Sequence, residues 1–572
     1  MVANDVTSYT ISAIPFFRSS DGNRLQYASN HAKQALPLFL SEPPLLITPH
    51  YFYLSYIKTS AFVFTAPMDL TILDILDNQL IYQDQRSGKI SVLSTPYTHK
   101  IHVLPGMSVE MGDIISSHPS FQNNIICQGR NADVIFNYYD GFTYEDGIVL
   151  DESVKEDFRA YRTTYVPLTK DKTFLYKVLE LKQPIAPGTT LQPGVIATFS
   201  ESKLFPQLHE QETIDVPFLV KYVYTRIPNN SDAKKTMKLQ FDSVREWLER
   251  YEVTRQLQGR GLDSHCKKLI SHNLKSLFHD TKSIEIMLIG DFIYEVKVGD
   301  KFTNRHGNKG IISRIEKIDS VKLGELTFQP QVCFNPEGIR RMNLGQLGEM
   351  HYAFLLKHVV PVAIKQMEKT TSTEDVLNKI LDTFVKPISP VTYKLTKSIY
   401  AEQDPKDTIE YIKRNGLITV IGNEEKHRYL HEILKLNKTI RDVTGLPDLI
   451  PLKNKLCGYG TMYIHRLYHT VDSKTTFENQ RIGEQEMWSL MQTCPIFLQE
   501  LFVRSDSWGN LEKFIADLFY SRNLSEIDIH SYSQKPLVID ELRSLLFALN
   551  ITNIDYLKIS GDDNGDVSAT ES

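Results

Sequence analysis

Between residues 45 and 150 apolar and polar side chains alternate in short runs broken by proline and glycine. "AFVFTAP", "LTILDILDNQLIYQD", "KISVLSTPY" and "NADVIFNYYDG" each carry the two-residue period of a strand. A helix repeats every 3.6 residues and does not hold that pattern, so this stretch predicts β-strands in a barrel or sandwich. From about residue 160 the character changes. "TFLYKVLEL" and "VPFLVKYVYTRI" are strand-like, but Phe241, Val244, Trp247, Leu248 and Tyr251, and then Leu269, Ile270, Leu274, Leu277 and Phe278, recur at helical spacing. "SIEIMLIGDFIYEV" returns to strand. Residues 160–295 therefore read as a domain inserted between two halves of a β core. Beyond Asn343 helical patterns dominate. Residues 372–375, "STED", read as a capping box for a helix with Val376, Leu377, Ile380, Leu381 and Phe384 on one face, ended by Pro387. The last twelve residues, "GDDNGDVSATES", hold four acids and no base and read as a disordered tail.

The chain has 572 residues, too many for one hydrophobic core, and its length predicts about four domain-sized units. Hydrophobic residues make up 41% and charged residues 23%, the balance of a soluble globular protein. No run approaches the ~18 apolar residues of a membrane span, and the first residues lack the basic and apolar parts of a secretory signal. Cys127, Cys266, Cys333, Cys457 and Cys494 lie far apart with no C-x-x-C. That predicts no zinc site from this chain, no disulfide framework and a reduced, intracellular compartment. With 64 basic and 69 acidic residues the net charge is −5, which argues against a freestanding nucleic-acid binder. Any handling of nucleic acid has to come from local patches or from partners.

The densest such patch is "GDKFTNRHGNKG", residues 299–310, where Lys301, Arg305, His306 and Lys309 are interleaved with Gly307 and Gly310. Glycine lets backbone approach a polyanion and lysine is a point charge for phosphate, although a solvated basic turn explains the composition equally well. The Walker A spacing is absent. Glu145 and Asp146 form an acidic doublet beside Gly141 and Gly147. Mg2+ takes one or two carboxylates plus water and phosphate oxygens. On a regular strand the two side chains would point apart, so either the backbone turns here or one carboxylate works through water. Two exposed acids beside a turn is the plainer alternative. Asp133, in "NADVIFNYY", reads as part of a buried strand and is assigned no metal. Arg340 and Arg341 precede a helical pattern and suit an anion. "RLYHTVDSK" holds Arg466, His469 and Lys474, and residues 19–37 string Arg24, Asn30, Lys33 and Gln34 along a polar stretch; alone, both read as structural or solvated.

In their joint order these segments resemble the C-terminal half of the β subunit of multisubunit, DNA-dependent RNA polymerases. "IPFFRSSDGNRLQYASNHAKQALP" resembles that family's "IPF…DANRALMG.NMQRQAVP", "GRNADVIFNYYDGFTYEDGIVL" its "GQN…GYNFEDSI", and "GDKFTNRHGNKGIIS" its "GDKMAGRHGNKGVIS". "NPEGIRRMNLGQLGEMH" is similar to "NPLGVPSRMNIGQILETH", one residue shorter. "MYIHRLYHTVDSK" is similar to "MYMLKLNHLVDDK", and "NQRIGEQEMWSL…LFVRSD" to "GQRFGEMEVWAL…LTVKSD". Six blocks in the family's order span residues 14 to about 506.

The resemblance implies an α+β multidomain chain with a β-rich, double-psi-barrel-type core interrupted by a flap-like insertion and followed by a helix-rich C-terminal region. The implied parts are residues 1–160 (hybrid-binding and first part of the barrel), 161–295 (flap-like insertion) and 296–350 (second part of the barrel with the basic loop). Residues 351–455 would be a helical hybrid-binding region, 456–560 a β′-anchoring clamp base and 561–572 the acidic tail. It also implies site roles. Arg24 and Arg341 would bind nucleotide phosphates, with Arg340 an alternative because of the deletion. Asn30, Lys33, Gln34 and Arg305 would lie along RNA, and Lys301 and Lys309 would contact RNA phosphates near the 3′ end. His469 and Lys474 would sit by the initiating nucleotide and transcript. Glu145 and Asp146 would help hold a second Mg2+ that arrives with the nucleotide.

No "DFDGD" occurs, so the principal ion would belong to β′. The family's N-terminal half is missing, so the expected partners are a separate β N-terminal polypeptide, β′ polypeptides, template DNA, transcript, nucleoside triphosphates and a promoter-specificity factor, with no membrane. "RHGNKG" amid heavy drift looks most like the split polymerases of giant tailed phages, which implies the host cytoplasm or the virion. The rival reading is a non-catalytic nucleic-acid-binding scaffold of the same fold.

Overall fold

The computed structural model describes residues 8–472 apart from 52–61, 123–124, 169–177, 201–208, 228–241, 259–261, 279–284, 325, 370–371, 402–403 and 423–427, together with 488 and 492. The chain divides into two compact units, Met1–Phe477 and Glu478–Ser572, and every element described here belongs to the first. Lys474, the last resemblance block apart from 488 and 492, and the acidic tail lie outside the described residues.

Six strands close on themselves: β1 (Arg130–Phe136), β2 (Gly147–Asp151), β3 (Lys301–Asn304), β4 (Lys309–Glu316), β5 (Val332–Phe334) and β6 (Lys455–Arg466). Their order is β1-β5-β2-β4-β3-β6, and β6 pairs back onto β1. β1 runs parallel to β5 and β2 parallel to β4, while the remaining neighbours are antiparallel. Closure leaves the barrel no free edge. Successive side chains of one strand go to different cores: Val134 and Phe136 pack with Leu150, Phe302, Ile312, Met462 and Ile464, whereas Ile135 joins Tyr352, Phe354 and Tyr459 in the larger helical cluster. Burial on both faces accommodates the consecutive apolar Val134, Ile135 and Phe136.

Between β2 and β3 the chain leaves on Ala160–Pro167 and returns on Glu285–Tyr294, which pair antiparallel from Ala160–Tyr294 to Pro167–Met287. Residues 160–294 thus lie in sequence between the second and third strands of the barrel. Phe218–Arg226 and Thr190–Leu191 extend the sheet, and Val178–Leu181, Gly194–Ser200 and His209–Ile214 form a second one. Both helical patterns are helices, Asp242–Arg250 and Ser264–Lys275, with Leu248 and with Ile270 and Leu274 buried on their inner faces.

The strands between residues 63 and 117 lie outside the barrel. They form separate three- and four-stranded sheets, and Leu76 and Ile81 pack with Ile270 and Leu274 of the insertion. The sixth barrel strand instead comes from residues 455–466, in the part expected to be helix-rich. Alternation reports that one face of a strand is buried and says nothing about which sheet it joins. Ser372 caps the expected helix: its Oγ accepts the Asp375 N–H at 3.4 Å, opening Thr373–Phe384. Two further helices position the site, α1 (Gly22–Lys33), capped by Asp21, and α2 (Gly345–Phe354).

Candidate active site

The hairpin β3–β4 carries the basic run. Asn304 Oδ1 closes its turn by accepting the N–H groups of His306 (2.9 Å) and Asn308 (3.1 Å). Gly307 has φ +79°, and a Cβ there would lie 2.4 Å from the Arg24 carbonyl oxygen. Only glycine lets the turn lie against α1 in this way. At Gly310 a Cβ would lie 2.3 Å from the Asp146 carbonyl oxygen. The two glycines thus bring α1, the basic turn and the acidic doublet into contact.

The cations of the run divide by depth. Lys301 and Lys309 are half-buried. Arg305 is buried: its Nη2 donates to Glu349 Oε1 at 2.7 Å, its Nη1 donates to the Leu46 carbonyl at 2.8 Å, and its guanidinium lies over the Tyr463 ring. Arg305 is expected along RNA; in the chain both terminal nitrogens of its guanidinium are bonded internally. His306 is fully buried, with Nε2 2.5 Å from Glu349 Oε2. Burial alone would push Glu349 up, but the Arg305 charge and the hydrogen bonds of His306 and Arg305 outweigh it and bring the carboxyl down to about 2.

On the inner side of α1, His31 Nδ1 is 3.2 Å from Thr303 Oγ1. Burial, then the charges of Lys309, Arg24 and His469, lower His31 to about 4. His31 therefore lies in the field of three of the expected site residues at once. Arg24 is half-buried with its guanidinium over Tyr27, while Asn30 and Lys33 are exposed. The residues after β6 return to this end: Leu467 N–H donates to the Lys301 carbonyl (2.9 Å) and Tyr468 N–H to the Gln34 carbonyl (2.9 Å). The Tyr468 and His469 rings lie 4.2 Å apart. Gln34 Oε1 is buried and has no hydrogen-bond partner among the described residues.

The acidic doublet follows the first of the alternatives left open by the sequence: the backbone turns. Glu145 has φ +51°, and its carbonyl accepts Asn335 Nδ2 at 2.7 Å, so the two carboxylates are not held on opposite faces of a strand. Asp146 Oδ1 accepts Arg341 Nη1 at 2.6 Å, both side chains being partly exposed. Arg340 pairs instead with Glu337 at 3.1 Å on the surface. The arginine segment is tied to α1, since Asp21 N–H donates to the Met342 carbonyl at 2.8 Å and Ser20 bridges to Asn343.

Among the described residues no three His, Cys, Asp or Glu side chains gather as a metal site. Glu145 and Asp146 are hard oxygen donors of the kind Mg2+ accepts, and two carboxylates fit such an ion when phosphate and water complete its shell. Asp133 is confirmed as a strand residue. It is buried and bonded to Thr461 (2.7 Å), His358 (2.9 Å) and Lys357 (3.1 Å), and these partners overcome burial and hold it well below the usual carboxylate range.

The structure thus brings Arg24, Lys301, Lys309, Asp146, Arg341 and His469 to one end of the barrel through linked contacts. Sequence reasoning passed over Glu349, Gln346 and His31, which organise that end. The signal for the first two was slight: Gln346 and Glu349 stand at i, i+3 spacing on one face of the mostly apolar α2.

The family model described as RNA polymerase Rpb2, domain 6, matches residues 11–487. The chain is 23% identical over 586 residues to the DNA-directed RNA polymerase subunit beta of Mesomycoplasma hyopneumoniae (strain 232), covering 98% of this chain and 43% of that one. It is 24% identical over 611 residues to the subunit of the same name from Borrelia turicatae (strain 91E135), covering 98% and 46%. With that of Mycoplasmopsis pulmonis (strain UAB CTIP) it shares 26% over 534 residues, covering 85% and 38%. The chain spans less than half the length of these relatives.

Proposed function

Because the chain belongs to the RNA polymerase Rpb2, domain 6, family, we propose that it acts as the C-terminal half of the β subunit of a multisubunit DNA-directed RNA polymerase and forms one wall of the active centre. The observation that carries this is the convergence just described: charged residues from five distant segments meet at one barrel end in a chain whose net charge is −5. Phosphoryl transfer needs positioning and neutralisation of developing negative charge more than covalent chemistry from the protein. A cation about 4 Å from a phosphate gains ~4 kcal/mol in a partly buried site, against ~1 kcal/mol in open water. Half-buried Lys301 and Lys309 are suited to that task in a way that a solvated loop is not.

In this reading Arg24 and Arg341 hold the triphosphate of the incoming nucleotide. Lys301 and Lys309 hold RNA phosphates near the 3′ end, Asn30, Lys33 and Gln34 follow the transcript, and His469 and Lys474 face the initiating nucleotide. Glu145 and Asp146 help hold the Mg2+ that arrives with the nucleotide. When bound, that ion screens phosphate charge and orients the leaving group. In the free chain Arg341 and Asp146 satisfy one another, and nucleotide binding separates them, the arginine turning to phosphate.

The two parallel strand pairs fit a double-psi barrel, and the insertion fits a flap beside the RNA exit. The enzyme includes β N-terminal sequence, β′ with the principal Mg2+, DNA, RNA and a promoter-specificity factor. The split-subunit form of giant tailed phages, working in the host cytoplasm or carried in the virion, belongs to the same proposal and rests on "RHGNKG" amid drift.

Co-purification from the natural source followed by primer extension on DNA tests it. The chain should arrive with at least two comparable or larger partners, one bearing an aspartate triad, in a complex that extends RNA. A chain isolated as an active monomer overturns the reading, and an assembled complex that binds DNA but extends nothing favours the non-catalytic scaffold.

A further inference from the structure

Glu349 lies in α2 and is only 1% exposed, yet three donors converge on it. Arg305 Nη2 (2.7 Å) and His306 Nε2 (2.5 Å) come from the tip of the basic hairpin, and the Tyr463 N–H (3.0 Å) comes from β6. One turn earlier on α2, Gln346 Oε1 accepts Asn304 Nδ2 at 3.1 Å, and Asn304 is the residue whose other side-chain atom closes the turn. The helix therefore grips the hairpin tip at two heights. The same helix begins just after Arg341, whose guanidinium holds Asp146.

We propose that Glu349 is a positioning residue of the polymerase active centre, fixing the hairpin so that Lys309 is presented in register with Arg341 and Asp146. This rests on the function proposed above. Neutralising Arg305 would take a single carboxylate contact anywhere along its length. Glu349 instead bonds two consecutive residues of the turn and a barrel strand, which removes the hinge freedom that a glycine-containing tip would otherwise have. Lys309 follows that tip directly and pairs back to Thr303 across the hairpin, so a shift of the tip becomes a shift of the lysine. A displacement of about 1 Å at a positioned group can cost ~100-fold in rate.

A double-mutant cycle in the assembled polymerase tests this. Glu349→Gln keeps the shape and removes the charge. It should lower the kcat of nucleotide addition roughly tenfold or more, with KM for the nucleotide changing far less. In a Lys309→Ala background the same substitution should lower kcat by less than about twofold, because the group it positions is gone. Glu349→Asp retains the charge but shortens the reach, and it carries the same cycle should the Gln variant fail to assemble. Equal losses in both backgrounds overturn the proposal, as does a normal kcat per assembled complex with only the yield reduced. A wild-type rate for Lys309→Ala alone has a different meaning: it overturns the reading of the site itself, and this inference with it.

Discussion

Two arginine–carboxylate pairs stand at different depths of the same barrel end. Arg305–Glu349 measures 2.7 Å with side chains 6% and 1% exposed, and Arg341–Asp146 measures 2.6 Å with side chains 27% and 55% exposed. Their lengths are equivalent and their consequences are opposite. Removing one partner of a buried pair strands a charge in a low dielectric and costs about 3–5 kcal/mol. An exposed pair contributes about 0–1 kcal/mol and can exchange its partner for a ligand. Depth, rather than distance, separates a fixed brace from a contact able to open.

Asp300–Arg466 extends the buried class and gives the largest expected effect. The pair is 2.8 Å long and its side chains are 1% and 0% exposed. Arg466 also donates to the carbonyls of Phe158, Tyr294 and Glu295, at the points where the insertion leaves and rejoins the barrel. Asp300→Asn should lower stability by about 3–5 kcal/mol, read as the unfolding midpoint of the full chain in denaturant. An unshifted midpoint would break the distinction by depth. Lys309→Ala comes next. Its half-buried side chain belongs to no buried ion pair among the described residues, so stability should change little, while nucleotide addition by the assembled enzyme should fall about 10²–10³-fold, as for loss of one preorganised electrostatic contact. DNA binding, measured in parallel, should change much less; equal losses would reduce Lys309 to an ordinary backbone contact.

This division by depth was the part hidden from the sequence. Lys301, Arg305 and Lys309 look alike along the chain, and only the tertiary position of Glu349, more than forty residues later, turns one of them inward. The strand periods and the Ser372 cap were legible because each is a local signal. The membership of β6 was not, since its pairing with β1 joins residues more than three hundred positions apart. The polar blocks were recognisable as a set, but their meeting depends on backbone approaches at Gly307 and Gly310 that a motif records only as glycine. The turn at Glu145 was one of two stated alternatives, and its positive φ decided between them.

His31 gives a smaller effect of known sign. Its ordinary value of 6.5 falls to about 4 in the folded chain through burial and the charges of Lys309, Arg24 and His469. Above pH 6.5 both folded and unfolded states are neutral at this group, and its contribution is fully present. Between pH 6.5 and 4 the unfolded chain takes up a proton that the folded chain refuses, so stability falls as the pH falls. Below 4 this group causes no further loss. At about 1.4 kcal/mol for each pKa unit, the loss reaches roughly 3 kcal/mol at most. His31→Asn should flatten that part of the pH–stability curve, and a curve left parallel to wild type would show that neither burial nor its charged neighbours lower His31 in the folded chain.

The smallest expected stability change sharpens the comparison most. Asp146→Asn removes the negative charge of an Arg341 contact that water can replace, because more than half of the Asp146 side chain is exposed. The unfolding midpoint should therefore shift by no more than about 1 kcal/mol. The same substitution takes away one of the two carboxylates that could share a nucleotide-borne Mg2+, so the assembled enzyme should need more magnesium to reach half-maximal nucleotide addition. Asp300→Asn should show the reverse pattern, a large stability loss with an unaltered magnesium midpoint in whatever complex still forms. If Asp146→Asn left the magnesium titration unchanged, Asp146 would be a surface partner of Arg341 and nothing more. If it instead destabilised the chain as Asp300→Asn does, the exposed pair would be a brace after all. Only a small stability change joined to a raised magnesium requirement fits a pair that opens to admit the nucleotide.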